Sequence, residues 1–257
     1  MRKVSSGKKL GFWFYVAVVL LRPGMLLLTK REWIGAEHLD AVVRDDGSQP
    51  GIVVCPNHIS WFDPLPVAHV LYDNGRPPRF LGKEAVFRIP VGGRIIRGAG
   101  QIPVYRESEH AGESVRDAIA AVHAGECVVV YPEGTITRDP DLWPMTGRTG
   151  AARIALETGA PVVPLAQWGA QEVIRPYTSE FRILPRKTMR VRIGPAVDLD
   201  DLRGRPIDSE VLREATDRIV AALTAQLELI RGATAPVHRF DLKADHTPDP
   251  TMTEGDT

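Results

Sequence analysis

Apolar positions along the chain fall into two rhythms. Short β-branched runs bounded by glycine, proline or charge occur at 51–55 (GIVVC), 101–104 (QIPV), 127–131 (CVVVY), 161–165 (PVVPL) and 189–193 (MRVRI). Such runs predict buried strands. Helical spacing appears between them. In 109–124, Val115, Ala118, Ile119 and Val122 fall at i, i+3, i+4 and i+7. Residues 148–158 run up to Gly159, a C-cap in waiting, and 208–231 place Leu212, Ala215, Ile219, Leu223, Leu227 and Ile230 on one face. A second strand-to-helix junction is expected at Asp63-Pro64, where an acidic cap and a proline at the first helical position open a helix through Tyr72. Strands alternating with helices imply an α/β fold: a mixed, largely parallel sheet flanked by helices. The main domain is expected over 32–232. From about Ala233 the pattern dissolves into Pro, Asp and Thr, so 233–257 reads as a disordered tail.

The first 31 residues follow neither rhythm. Leu10 to Leu21 (LGFWFYVAVVLL) is an uncharged apolar run, followed by Arg22-Pro23-Gly24 and then Met25-Leu26-Leu27-Leu28. As a helix the first run is about 18 Å long at ~1.5 Å per residue, short of a ~30 Å hydrocarbon core. Pro23-Gly24 is expected to break it, giving a helix pair lying in one leaflet. A clean span would carry Arg22 near its middle, and no small-x-small site follows Leu21 as a secretory leader requires. A hydrophobic pair packed on the domain ranks second.

Charge sharpens this. The 257 residues carry 32 Lys+Arg against 32 Asp+Glu, so overall charge gives no reason to expect a nucleic-acid partner. Residues 1–31, however, hold Arg2, Lys3, Lys8, Lys9, Arg22, Lys30 and Arg31 with no acid. A basic, apolar start fits the anionic cytoplasmic leaflet, which predicts monotopic attachment to the cytoplasmic face of a cell membrane. Cys55 and Cys127 are too few for a disulfide framework. Each adjoins a valine run and reads as a buried free thiol.

Chemistry-bearing residues gather after the predicted strands, where α/β sheets place their sites. GIVVC runs into Pro56-Asn57-His58-Ile59-Ser60-Trp61-Phe62-Asp63. Asp63 at the helix entrance is close enough to take the imidazole Nδ1–H of His58, leaving Nε2 free to remove a hydroxyl proton. The chain has no G-x-S-x-G elbow, so the attacking hydroxyl is expected to be the substrate's own. On the pair alone, a helix cap beside a satisfied loop histidine is an equal reading. Arg106 leaves the strand 101–104, and Tyr131-Pro132-Glu133-Gly134-Thr135 follows 127–131. A guanidinium beside a glycine turn makes an anion site, with Lys83 as a second cation. The seven histidines show no metal-ligand spacing.

Taken in order, Asn57-His58 with Asp63, Gly100 to Arg106, Tyr131 to Thr135 and Val162-Val163-Pro164-Leu165 resemble the four blocks of the glycerolipid acyltransferases, over roughly residues 32–197. The resemblance implies transfer of a fatty acyl group from acyl-CoA or acyl carrier protein to the free hydroxyl of 1-acylglycerol 3-phosphate, in phospholipid synthesis. Glycerol 3-phosphate, another lysophospholipid or a glycolipid is the alternative acceptor. It implies His58 as general base, Asp63 as its orienting partner, Arg106 on the acceptor phosphate, and the Glu133-Gly134 turn shaping the acceptor site. Asn57, Lys83, Thr135 and Arg138 complete the expected substrate-binding set, with no metal and no cofactor beyond the acyl donor. One departure stands out. The family commonly continues with Arg-Ser after the threonine, where this chain has Ile136-Thr137 and reaches an arginine only at Arg138.

Overall fold

The computed structural model describes residues 10–40, 49–105 and 111–242. The sequence-predicted Arg106, the basic cluster within 1–9 and residues 243–257 of the expected tail lie outside the described residues. The first part of that tail is corrected: 233–242 pack on the domain, where the Thr146 amide donates to the Phe240 carbonyl at 3.0 Å and Arg239 Nη1 donates to Asp217 Oδ1 at 2.9 Å. In chain order the elements are α1 (Phe12–Leu28), β1 (Thr29–Ile34), α2 (Glu37–Asp40), β2 (Ile52–Pro56), α3 (Pro64–Asp73), β3 (Pro78–Lys83) and α4 (Glu84–Phe87). They continue with α5 (Gly92–Gly98), β4 (Ile102–Val104), α6 (Ala111–His123), β5 (Cys127–Val129), α7 (Gly150–Thr158), β6 (Val162–Trp168), β7 (Lys187–Ile193) and α8 (Ser209–Arg231).

The strands form one sheet in the order β1-β7-β6-β2-β5-β3-β4. Every neighbouring pair is parallel except β6 with β7. Strand alternation divides the core between two faces. Val53, Cys55, Val128 and Val162 pack with α6, α7 and α8 on one side, while Ile52, Val54, Cys127 and Val163 pack with α3 and Leu39 on the other. Cys55 and Cys127 are thus buried free thiols on opposite faces, where no bridge can join them. From β2 the chain passes β5 to reach β3, and from β5 it passes β2 to reach β6. The two connections diverge above the carboxyl ends of β2 and β5, where such sheets open a crevice.

The five expected strands and the three long periodic helices are present. Asp208 caps α8 by accepting from the Glu210 and Val211 amides, and Gly159 ends α7 in the left-handed conformation. The expected helix pair in residues 1–31 is corrected: Phe12–Leu28 is one helix that runs through Pro23. Packing on both sides of the breaker holds it together. Phe14 lies against Tyr72 of α3, with ring centroids 5.9 Å apart. Arg22 Nε donates to Asp73 Oδ1 at 3.0 Å, so this cation meets a carboxylate of α3 rather than a headgroup. Met25 is buried, and Thr29 Oγ1 donates to its carbonyl at 2.6 Å. Among the described residues no helix is long and apolar enough to cross a membrane.

Candidate active site

His58 stands two residues beyond the end of the central strand β2, and α3 begins one residue after Asp63. The intervening loop folds the aspartate back. Its carboxylate does not cap α3; instead Oδ2 accepts from the amides of Ile59 (2.6 Å) and Ser60 (2.8 Å) and lies 2.8 Å from His58 Nδ1. An acceptor already held by two N–H groups fixes the histidine tautomer: Nδ1 carries the proton, and Nε2 offers its lone pair. Burial pushes the Asp63 carboxyl up from the ordinary range, against the opposing pull of His58 and of the Ser60 and Ile59 amides. The His58 side chain keeps 13% of its surface exposed while Asp63 keeps none, so the imidazole is the member of the pair a substrate can touch.

Three aromatics fix the ring. Tyr131, just beyond β5, stacks on His58 with centroids 4.2 Å apart and planes 26° from parallel. Trp61 meets it edge-on at 6.3 Å, and Phe80 stacks behind Tyr131 at 6.4 Å. Burial pushes the Tyr131 phenol well above its ordinary range, with Asp63 adding to the rise and Gln167 opposing it.

Glu133 stands where the sequence put it but faces the other way. Its carboxyl is buried. Oε1 accepts the His58 amide at 2.9 Å, and Oε2 accepts the Met145 amide at 3.2 Å. The Thr137 amide returns a hydrogen bond to the His58 carbonyl at 2.7 Å. The turn 133–137 therefore clamps the histidine's backbone on both sides, and the Glu133 carboxyl is closed off from solvent. Burial pushes its carboxyl up to about 8, the two amide donors pulling the other way.

Asn57 is corrected in the same sense. It is fully buried: its Nδ2 donates to the Gln167 carbonyl (3.1 Å), and its Oδ1 accepts the Gln167 amide (2.8 Å). That side chain fastens the loop to β6 and is closed off from solvent. Gly134 adopts φ +71°, and a Cβ there would lie 2.7 Å from Arg148 Cδ, so the Arg148 stem occupies the space a side chain would need. Ile136, which stands where the resemblance led one to expect an arginine, is fully buried. Arg138 is the first exposed side chain after the turn. Its guanidinium lies 4.7 Å from the Tyr177 ring centroid, and Tyr177 Oη donates to the Ile136 carbonyl at 2.5 Å. Lys83 is exposed at the end of β3, and Thr135 is half-buried in the turn.

The structure thus joins His58, Asp63 and the Glu133-Gly134-Thr135 turn, and sets Arg138 and Arg148 beside that turn. Tyr131, Gln167, Met145 and Arg148 had no role in the reading from sequence. Tyr131 alone carried a usable signal, an aromatic heading the Pro-Glu-Gly turn.

A family model described as Acyltransferase matches residues 31–168. The chain belongs to the Acyltransferase family. Within that family it is similar to a chloroplastic 1-acyl-sn-glycerol-3-phosphate acyltransferase of Brassica napus, 32% identical over 165 residues, covering 61% of this chain and 46% of that protein. It is also 33% identical over 110 residues to a lyso-ornithine lipid O-acyltransferase of Pseudomonas aeruginosa, covering 43% and 40%. The chain spans less than half the length of these two relatives. In fold it is similar to the crystal structure of the 1-acyl-sn-glycerophosphate acyltransferase PlsC from Thermotoga maritima. That match has a TM-score of 0.63 and 20% identity, and covers 87% of this chain and 81% of that one.

Proposed function

We propose that the protein is an O-acyltransferase that moves a fatty acyl group from acyl-CoA, or acyl carrier protein, to the free hydroxyl of 1-acylglycerol 3-phosphate, giving phosphatidic acid. The observation that carries this reading is the His58 Nδ1 to Asp63 Oδ2 pairing at 2.8 Å, with the imidazole partly open to solvent. His58 Nε2 takes the acceptor's hydroxyl proton as that oxygen attacks the thioester carbonyl. The new C–O bond forms, the C–S bond breaks, and the proton passes from imidazolium to the departing thiolate. General-base assistance of this kind is worth ~10²–10⁴ in rate, or about 3–5 kcal/mol. Arg106, with Lys83 and Arg138, is proposed to hold the acceptor phosphate; the bidentate fork of arginine suits it.

A second acceptor class is favoured by one observation. A buried Ile136, not a cation, follows Thr135 in the turn beside His58, and a relative bears the name lyso-ornithine lipid O-acyltransferase. A lysolipid with another headgroup, or a glycolipid, is therefore the alternative acceptor. Purified protein given one labelled acyl-CoA and a panel of lysophosphatidate, glycerol 3-phosphate, lyso-ornithine lipid and lysophosphatidylethanolamine, read by product mass spectrometry, decides between them. Product that persists at near-native rate in a folded His58→Ala variant overturns the mechanism.

The helix α1 is proposed to lie along one leaflet on the cytoplasmic face. Phe12, Tyr15, Val19, Leu20 and Leu27 are exposed along it, an amphipathic surface suited to the headgroup–acyl boundary. Both substrates of the proposed reaction carry chains that partition there.

A further inference from the structure

Away from His58, a cavity of about 620 Å³ opens between the start of α1 and the segment 87–98. Its lining is Trp13, Phe87, Ile89, Pro90, Val91 and Gly98, with Arg94 and Arg97 as its charged members and no acid. It shares no residue with the site described above. The volume falls within the ~300–1,000 Å³ of small-molecule pockets, and most of the walls are apolar.

Two features of this segment cost stability with no return inside the molecule. Val91 sits at φ +63°, ψ −59°, at the centre of a γ-turn closed by the Gly92 amide donating to the Pro90 carbonyl at 2.7 Å. A β-branched residue there is strained. The strain turns its side chain outward: Val91 is 75% exposed, and its neighbour Ile89 54%. Backbone strain that displays apolar side chains to water marks a contact surface. The surface is continuous with α1, because Trp13 lies directly against Gly98, where a Cβ would be 2.3 Å from Trp13 Cδ1. Phe12, Trp13, Ile89 and Val91 thus form one apolar patch. Arg94 and Arg97 are exposed beside it and pair with no carboxylate among the described residues, whereas Arg88 nearby is neutralised by Glu84 at 2.7 Å.

We propose that this patch is a binding site for an anionic membrane phospholipid: the cavity takes part of an acyl chain, and Arg94 and Arg97 hold the phosphate. The 87–98 segment then anchors the α/β domain itself, in addition to α1. Apolar walls under paired, unneutralised guanidiniums match a lipid whose headgroup is negative. The inference does not depend on acyl transfer.

Vesicle co-sedimentation of the full chain tests it, with phosphatidylcholine vesicles containing or lacking phosphatidylglycerol. Arg94→Glu/Arg97→Glu is expected to weaken binding to the anionic vesicles by at least fivefold per arginine, and raised salt to weaken the native protein in the same direction. Ile89→Asp/Val91→Asp is expected to weaken binding to both vesicle types. All four positions are exposed on the surface, so circular dichroism should show native helix content. His58→Ala, which removes turnover under the proposed mechanism, should leave partition unchanged, separating failure of this site from failure of that mechanism. Native partition by both double variants overturns the proposal. So does unchanged partition with an altered acyl-chain preference on soluble short-chain substrates, which would assign the cavity to the acyl donor. Unchanged partition with a shift in oligomeric state would assign it to a second copy of the chain.

Discussion

At Glu133, a buried carboxyl accepts two backbone N–H groups, and its proton sets how well it does so. Its pKa is raised from 4.5 to about 8 in the folded protein. The native state therefore binds this proton more tightly than the unfolded chain. The resulting stability is fully present below pH ~4.5 and is lost as pH rises through about 8. Glu133→Gln removes this slope, which denaturant unfolding of both proteins at pH 5 and pH 8 measures. The amide also turns an NH₂ toward one of the two N–H donors, so the variant should lose about 1–3 kcal/mol at pH 5. Turnover should fall with it, because the His58 backbone loses a clamp. Asp63→Asn keeps the shape of the pair but reverses its hydrogen-bond sense, offering the histidine the wrong tautomer. A loss of ~10²–10⁴ in kcat with little change in acceptor KM is expected, measured by thiol release at saturating acyl-CoA. The His58–Asp63 pairing was legible because the two lie five positions apart in one short loop between a strand end and a proline-started helix, which leaves the carboxylate few places to go. The inward turns of Asn57 and Glu133 were not. Gln167 lies 110 residues from Asn57 and the His58 amide 75 from Glu133, and a polar side chain in a motif looks the same whether it serves a substrate or a backbone amide.

Among elements, α1 shows local preference losing to packing. Proline inside a helix costs ~3 kcal/mol or more in isolation, which is why the sequence points to a break at Pro23. The cost is offset by Phe14 on Tyr72, Arg22 on Asp73 and buried Met25, none of which the sequence of 1–31 discloses. Asp73 also lies 3.7 Å from Arg31 and 3.5 Å from His69, so α1, α3 and β1 meet on one carboxylate. Asp73→Ala is therefore expected to cost about 1–2 kcal/mol, allowing for the 30% exposure of Arg22. Hydrogen exchange along α1 should accelerate more than in α8, and equal protection of the two helices would count against the anchor. Strands β1 and β3 escaped the reading for a related reason. TKREWI bunches charge at Lys30, Arg31 and Glu32, PRFLGK carries Arg79 and Lys83, and both lie toward the edges of the sheet, so they lack the valine runs that mark the centre.

For the molecule as a whole, the α/β class was legible because its central strands are covered on both faces and read as continuous apolar runs. The order of those strands was not, since periodicity says nothing of which strand neighbours which. One global test uses the thiols. Burial pushes both Cys55 and Cys127 up to about 12, and they sit on opposite faces of the central strands. Neither should react with a thiol reagent at pH 8 in the native protein. Both should appear together, in step with loss of helical signal, as denaturant unfolds the sheet; early labelling of one would reveal a face that opens separately.

The single reversal between β6 and β7 decides where the first helix is delivered. Because β7 begins level with the end of β6, and β1 runs alongside β7, Thr29 enters the sheet at the edge from which His58 projects. Had β7 run with its neighbours, α1 would have ended at the far rim, a full strand's length from the imidazole. The polarity of one hairpin-like pairing thus puts the exit of a greasy helix and the His58 imidazole on the same shore, so a guest travelling along the former need never round the sheet to meet the latter.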